Sequence, residues 1–239
     1  MRQRLDQYLA EQGMVASRSQ AESYIRLGQV LVNGRVITKA GTPVGLDDTV
    51  KLTATEQYVS RAALKLASVS QVLHLSFKNK TVLDVGSSTG GFTQYALKQG
   101  ARKVFAVEIG TNQLHQSLHG DPRIELHEKT DIRNFKTTEP IDLVVADVSF
   151  ISLREILPSV ATLCSSKTLL AMMVKPQFEA GQSSLKHKGV IKNDKMRREI
   201  LKDFETWAHQ RFVIIDKADS QVSGAKGNLE RFYLLKLAA

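Results

Sequence analysis

Four ionisable residues stand where chemistry could be done. Lys65 lies in the helical pattern RAALKLASVSQVL, Asp147 closes the apolar run VVADVSF, Lys175 closes MMVKPQF, and Glu230 opens ERFYLL. A single lysine ending an apolar strand is ordinarily a surface group whose stem lies along its neighbours. Two lysines and two carboxylates aimed at one crevice are harder to dismiss. If they share one edge of a sheet, a lysine amine can take a proton from a weakly acidic hydroxyl, or orient it. A second ammonium nearby, together with partial burial, favours the neutral amine that a base requires. We assign Lys175 as general base or hydroxyl orienter and Lys65 as the neighbouring cation, with Asp147 and Glu230 positioning the two ammonium groups.

A second constellation is the run Asp84-Val85-Gly86-Ser87-Ser88-Thr89-Gly90-Gly91-Phe92 between a strand and a helix. Glycines there let a ligand approach the backbone at the carboxyl end of a sheet. The spacing is not that of the G-x-G-x-x-G dinucleotide loop. A carboxylate at Asp84 would not help hold a pyrophosphate, but it suits a ligand carrying an ammonium and a sulfonium. Glu108 ends the next strand, where it can accept from both hydroxyls of a ribose, and Asp131-Ile132 follow the third, where an adenine amino group would lie. S-adenosylmethionine fits this set. The expected contacts are Asp84, Gly86, Ser87, Gly90, Gly91, Phe92, Glu108, Asp131, Ile132 and Asp147.

The elements that must position these residues alternate in period. TVLDVG, KVFAVEIG, IELHE, DLVVADV, TLLAMMVK, FVIID and ERFYLLKL read as strands, with helices expected around 91–99, 112–118, 153–164 and 194–208. Such alternation predicts an α/β sheet with helices on both faces. The last two strands have no helix between them and should pair as a C-terminal hairpin. Ser60 is placed to cap the helix that carries Lys65.

Ahead of this lies a small module, residues 1–58. RLDQYLAEQG carries Leu5 and Leu9 at helical spacing and stops at Gly13. Ser17 with Gln20 reads as a capping box opening a second helix, which ends at Gly28. VLVNGRVI then forms two short strands joined by Asn33-Gly34, the strongest short hairpin signal. Arg4, Arg18, Arg26 and Arg35 recur through this unit and together suit phosphate groups. The pattern RLD, then SRSQAESYIRLGQVLVNG, then K-x-G-x-x-V at Lys39–Val44, resembles the S4 RNA-binding domain, which implies binding of structured RNA.

Composition agrees with such a partner. The net charge of +9 favours polyanions. No apolar stretch is long enough for a membrane span, and MRQRLDQYLAEQG has no apolar signal region, so the chain reads as cytoplasmic. The one cysteine, Cys164, sits in an apolar helical pattern and is expected to pack. His115 and His119 are four apart on an expected helix, but no Glu or Cys completes a metal site, and no metal is expected. The polar stretch 177–195, with lysines at 186, 188, 192 and 195, suits a lid that orders over RNA.

The Lys-Asp-Lys-Glu set resembles that of FtsJ/RrmJ-type 2′-O-ribose methyltransferases. With VSRAALKL, DVGSSTGGFT, ADVSFISL, VKPQFE and GNLERF in order behind the S4-like module, nearly the whole chain resembles the TlyA family. That resemblance implies a Rossmann-like class I methyltransferase domain over residues 59–239, doubly wound, with a mostly parallel seven-stranded sheet and an antiparallel C-terminal hairpin. It also implies S-adenosylmethionine as methyl donor and the 2′-hydroxyl of a cytidine in 23S ribosomal RNA, for some members one in 16S as well, as acceptor. Ribosomal RNA or ribosomal subunits would be the partners, and Lys65, Asp147, Lys175 and Glu230 the catalytic positions. One departure is visible: where the family has Arg-x-Trp-Val before Ser-Arg, this chain has Glu56-Gln57-Tyr58-Val59.

Three other readings compete. A base methyltransferase acting on adenine amino groups would carry an Asn/Asp-Pro-Pro-aromatic loop, and Asp147-Val148-Ser149-Phe150 lacks the prolines. A membrane-lytic protein, which the hemolysin label of some family members suggests, needs an amphipathic or spanning segment. A non-catalytic RNA-binding protein that kept a cofactor pocket would not need all four catalytic positions.

Overall fold

The interior strands of the large sheet are mostly apolar on both sides, as a sheet covered by helices on two faces requires, with Asp84 of the central strand the buried exception. The computed structural model describes residues 2–54, 58–180, 189–191, 193–224 and 227–238. The N-terminal module contains β1 (Gln3–Arg4), α1 (Leu5–Glu11), α2 (Arg18–Arg26), β2 (Val30–Val32), β3 (Arg35–Val36), β4 (Pro43–Val44) and β5 (Val50–Leu52). β1 pairs with β4, and β2 lies between β3 and β5 in a three-stranded sheet. Asn33 and Gly34 both take positive φ, 50° and 76°, as the hairpin signal demanded. The capping box is a variant: Ser17 accepts from the Gln20 N–H at 3.2 Å, but the Gln20 side chain returns to the N–H of Ala16, one residue further out.

The larger part of the chain begins with α3 (Arg61–Ser70), followed by β6 (Thr81–Val85), α4 (Gly91–Lys98), β7 (Lys103–Val107), β8 (Ile124–His127), β9 (Leu143–Ala146), α5 (Leu153–Ala161), β10 (Leu169–Val174), α6 (Pro176–Glu179), α7 (Asp194–Ala208), β11 (Phe212–Asp219) and β12 (Arg231–Leu237). All seven expected strands form one sheet in the order β11-β12-β10-β9-β6-β7-β8. β12 runs antiparallel to both of its neighbours, β10 and β11, while the pairs from β10 to β8 are parallel. The hairpin therefore folds back so that its second strand is interior and β11 is the edge.

Alternation along each strand separates two clusters. Val82, Val104, Val145, Met173 and Phe232 face α3 and α4, whereas Leu83, Phe105, Val144, Met172 and Tyr233 face α5 and α7. The first cluster continues without a break into Leu5, Leu9, Tyr24 and Ile25 of the N-terminal module. Tyr58, from the segment expected to be a linker, is buried at this junction against Tyr95, and its carbonyl accepts from the Gln20 side chain at 2.7 Å.

Two expectations about helices fail. Residues 112–118 form no α-helix; only Gln116–Leu118 make a single 3-10 turn, and Asn112 has φ of 53°. Tertiary contacts override the local pattern: the Gln113 N–H donates to Glu128 and the His115 N–H to the carbonyl of Thr89, laying the segment across the glycine loop. His115 and His119 thus share no helical face; His115 caps the turn and His119 bonds to the carbonyl of Leu114. Ser60 precedes α3 as expected, but its side chain makes no capping bond. The expected polar loop begins with α6, in which Glu179 is buried, and residues 181–188 and 192 of the lid lie outside the described residues.

Candidate active site

The strand order fixes where a site can form. The chain proceeds from β6 outward through β7 to β8, then returns to the other side of β6 for β9 and β10. Open α/β sheets bind ligands at the carboxyl ends of the strands beside such a reversal. Gly86, Glu108, Asp147 and Lys175 each directly follow the last residue of β6, β7, β9 and β10. Glu230 precedes β12, but β12 is reversed and Arg231 pairs with Val174, so Glu230 reaches the same edge.

Two adjoining cavities open there. The larger, about 510 Å³, is lined by Gly86, Glu108, Ile109, Asp131, Ile132 and Asp147 among others. The smaller, about 230 Å³, is lined by Ser60, Arg61, Lys65, Asp84, Ser87, Phe92, Asp147, Ser149 and Lys175 among others. Gly86, Ser88, Asp147 and Ser149 border both.

In the smaller cavity each lysine is locked to one carboxylate. Lys65 Nζ lies 2.6 Å from Glu230 Oε2, and Lys175 Nζ lies 2.6 Å from Asp147 Oδ1. The lysine side chains are only 7% and 9% exposed. Lys175 also donates to Ser149 Oγ at 2.7 Å. Glu230 is not on the cavity wall; it reaches the cavity through Lys65. Behind the wall, Glu179 accepts from the Ser152 hydroxyl and the Leu153 N–H, tying the segment after β10 to the start of α5. Burial pushes the Glu179 carboxyl above its ordinary value, against the pull of those donors.

The glycine loop divides into two parts. Gly86, with φ of 78°, passes within 3.2 Å of the Asp147 carbonyl at the point where a Cβ would stand. Gly90 and Gly91 do not line either cavity. A Cβ on Gly90 would meet Leu114 and Leu118, and one on Gly91 would strike Ser60 Oγ at the start of α3. Packing explains those two glycines. Asp84 is wholly buried; one carboxylate oxygen takes the Thr93 hydroxyl at 2.6 Å, and the other has no hydrogen-bond partner. Burial pushes its pKa up to about 7.

Glu108 accepts from the N–H groups of Ser88 and Gly110 at 2.9 and 2.7 Å, which fixes its carboxylate on the wall of the larger cavity. Asp131 is gripped by Arg133, whose hydrogen bonds hold the carboxyl below its ordinary value. The residues present fit a ligand with a sulfonium, an ammonium and an adenosine. An unsatisfied buried carboxylate oxygen would meet the cationic end, a close-packed glycine the backbone approach, and an apolar cavity edged by Glu108 and Asp131 the nucleoside.

Sequence reading missed three residues here. Ser149 holds Lys175 in place. Phe150 lines the larger cavity, is 92% exposed as a residue, and has φ of 66° with the Phe178 ring 5.2 Å away. Arg61 lines the smaller cavity and donates to Ser19 Oγ of α2 at 2.6 Å, joining the N-terminal module to the cavity mouth. The repeated Ser-Arg in the sequence was the available signal for Arg61; no local signal marks a positive φ at Phe150.

Of the four arginines expected to bind phosphate, the structure brings two together. Arg4 and Arg18 both bond to Asp6. Arg26 pairs with Glu22 at the other end of α2 and reaches Ser223, while Arg35 is exposed on β3.

The fold and this edge define a methyltransferase: the model of the FtsJ-like methyltransferases matches residues 58–237, and that of the S4 domain matches residues 3–50. Among similar proteins is the 23S rRNA (cytidine-2′-O)-methyltransferase TlyA of Campylobacter jejuni, 42% identical over 79% of this chain and 75% of that one. The 16S/23S rRNA (cytidine-2′-O)-methyltransferase TlyA of Mycobacterium tuberculosis is 36% identical over 98% of this chain and 90% of its own. A solved structure from Streptococcus thermophilus superposes with a TM-score of 0.74 at 32% identity, covering 99% of this chain and 89% of that one. The chain belongs to the FtsJ-like methyltransferases and, among them, to the TlyA family with an S4 domain at its N-terminus.

Proposed function

We propose that this protein transfers a methyl group from S-adenosylmethionine to the ribose 2′-hydroxyl of a cytidine in ribosomal RNA. The observation that carries the reading is the smaller cavity, where Lys175 is fixed by Asp147 and Ser149 directly beside the glycine loop. The TlyA relatives named for this reaction on 23S and 16S/23S rRNA support it.

S-adenosylmethionine supplies an electrophilic methyl on a positively charged sulfur. Asp84 and Gly86 would hold its amino-acid end, and Glu108, Asp131 and Ile132 its adenosine. Lys175 would fix the oxygen for attack as the ammonium or, once it has passed its own proton to Asp147, take the hydroxyl proton as the amine, while Asp147 and Ser149 keep Nζ from turning away. Lys65, held by Glu230, adds a second positive charge that favours the developing alkoxide. Transfer is an in-line displacement, so alignment by these fixed groups contributes alongside proton removal. Arg4, Arg18 and Arg61 run from the S4 domain to the cavity mouth and would carry the RNA backbone there.

The test is to map 2′-O-methylation on ribosomal RNA from cells lacking the protein and supplied with Lys175→Ala. We expect native protein to restore a modified cytidine and the variant to restore none, with single-turnover transfer falling by about 10³-fold or more. Restored methylation by the variant would overturn the assignment of Lys175. The lytic reading rests on a name, that of the 36% identical Hemolysin A of Brachyspira hyodysenteriae; no helix among the described residues is long and apolar enough to cross a membrane.

A further inference from the structure

Asp6 stands out in a module read as binding a polyanion: an acidic side chain, only 3% exposed, in the first turn of α1. Its two oxygens are occupied by arginines. Arg4 approaches with Nε on Oδ1 at 2.9 Å and Nη2 on Oδ2 at 3.0 Å, and Arg18 with Nε on Oδ2 at 2.8 Å. The arginines themselves stay half exposed, at 50% and 57%. A guanidinium has five N–H donors, so most of the donors on this pair are not used by Asp6. The surroundings back the arrangement: the Asp6 N–H donates to the carbonyl of Ala40, and a Cβ on Gly41 would lie 2.8 Å from Arg4 Nη1. Burial works against the charge on Asp6, yet the bonds from Arg4 and Arg18 outweigh it and hold the carboxyl below its ordinary value.

We propose that Asp6 is a positioning residue for RNA binding, a buried anchor that presents Arg4 and Arg18 as a preformed clamp for the phosphodiester backbone. The proposal rests on the RNA reading above and deepens it. Long cationic side chains lose rotamer freedom when they grip a ligand. Here that loss is incurred on folding, so the two guanidiniums meet the phosphate already placed. Planar, multidentate donors match phosphate oxygens in a way that a mobile point charge does not.

The proposal makes a prediction opposite in sign to a charge count. Asp6→Asn adds one positive unit to the domain, and electrostatics alone would tighten binding to RNA. We expect instead that the full-length variant binds a 23S rRNA transcript about five- to tenfold more weakly at physiological ionic strength. In an Arg4→Ala/Arg18→Ala background the same substitution should change affinity by less than about twofold, because the side chains it positions are gone. A merely structural effect would appear in both backgrounds. Thermal unfolding checks that each variant is folded; should Asp6→Asn fail to fold, Gly41→Ala displaces Arg4 without touching the carboxylate and should weaken binding as well. Unchanged or tighter binding by a folded Asp6→Asn protein, or an equal loss in both backgrounds, overturns the proposal. Native affinity of the double arginine variant itself would overturn the RNA reading of this face, and the proposal with it.

Discussion

The catalytic cavity and the N-terminal module use the same components, cations held by carboxylates, in opposite ways. In the cavity each lysine has its own carboxylate: Lys65 and Glu230 are both buried, and Lys175 is buried against an Asp147 that is 16% exposed. In the module one buried carboxylate serves two arginines that remain half in solvent. A buried pair holds its charge still and is costly to break. A solvent-facing arginine keeps its charge available to an incoming polyanion, where screening by salt governs its worth. One arrangement suits a reaction at a fixed atom, the other capture of a polyanion's backbone.

Substitutions can test that contrast. The largest effect is expected at Lys65→Ala, which strands Glu230 without its partner. The fold should lose about 3–5 kcal/mol, read as a lower denaturant midpoint, and Lys65→Ala/Glu230→Gln should recover much of it. Equal stability of native protein and single variant would show that the pair is not buried in solution as described.

Next is Asp84. Its carboxyl, pushed up to about 7, is largely protonated in the free protein below that pH. A cationic donor favours the ionised form, so binding at pH 6 must expel a proton that is mostly absent at pH 8. Affinity for S-adenosylmethionine should therefore rise as pH rises, by about tenfold between pH 6 and pH 8, with proton release visible in calorimetry. Asp84→Asn should flatten that dependence. A flat profile for native protein would mean that Asp84 does not face the cationic end.

Smallest is Arg18→Ala. Affinity for a 23S rRNA transcript should fall a few-fold and the salt slope by about one, with stability nearly unchanged. If this exposed arginine instead proved as costly to the fold as Lys65, the contrast between the two regions would be lost.

The sheet was legible because each strand carries its own apolar run. Asp147, Lys175 and Glu230 stand out by their position at a run's end; Lys65 does not, since it lies in the middle of α3. The stretch 112–118 was misread because its apolar residues, Leu114 and Leu118, pack on Gly90 rather than on a helical stripe. Gly90 and Gly91 were assigned to the ligand, yet their neighbours are Leu114, Leu118 and Ser60; a sequence does not say which side of a loop is crowded. Asp6 was invisible for a related reason: one acid among arginines reads as a solvated charge until its burial is known.

β12, the reversed strand, has a consequence for how the molecule is made. It is the last strand in chain order but sits inside the sheet, between β10 and β11. While the ribosome is still extruding the chain, β10 must keep one side open, a sticky edge awaiting its partner. Lys65 likewise has no counter-charge until Glu230 arrives with that strand. The nascent protein thus gains its interior sheet pairing and its buried Lys65–Glu230 pair in a single late event.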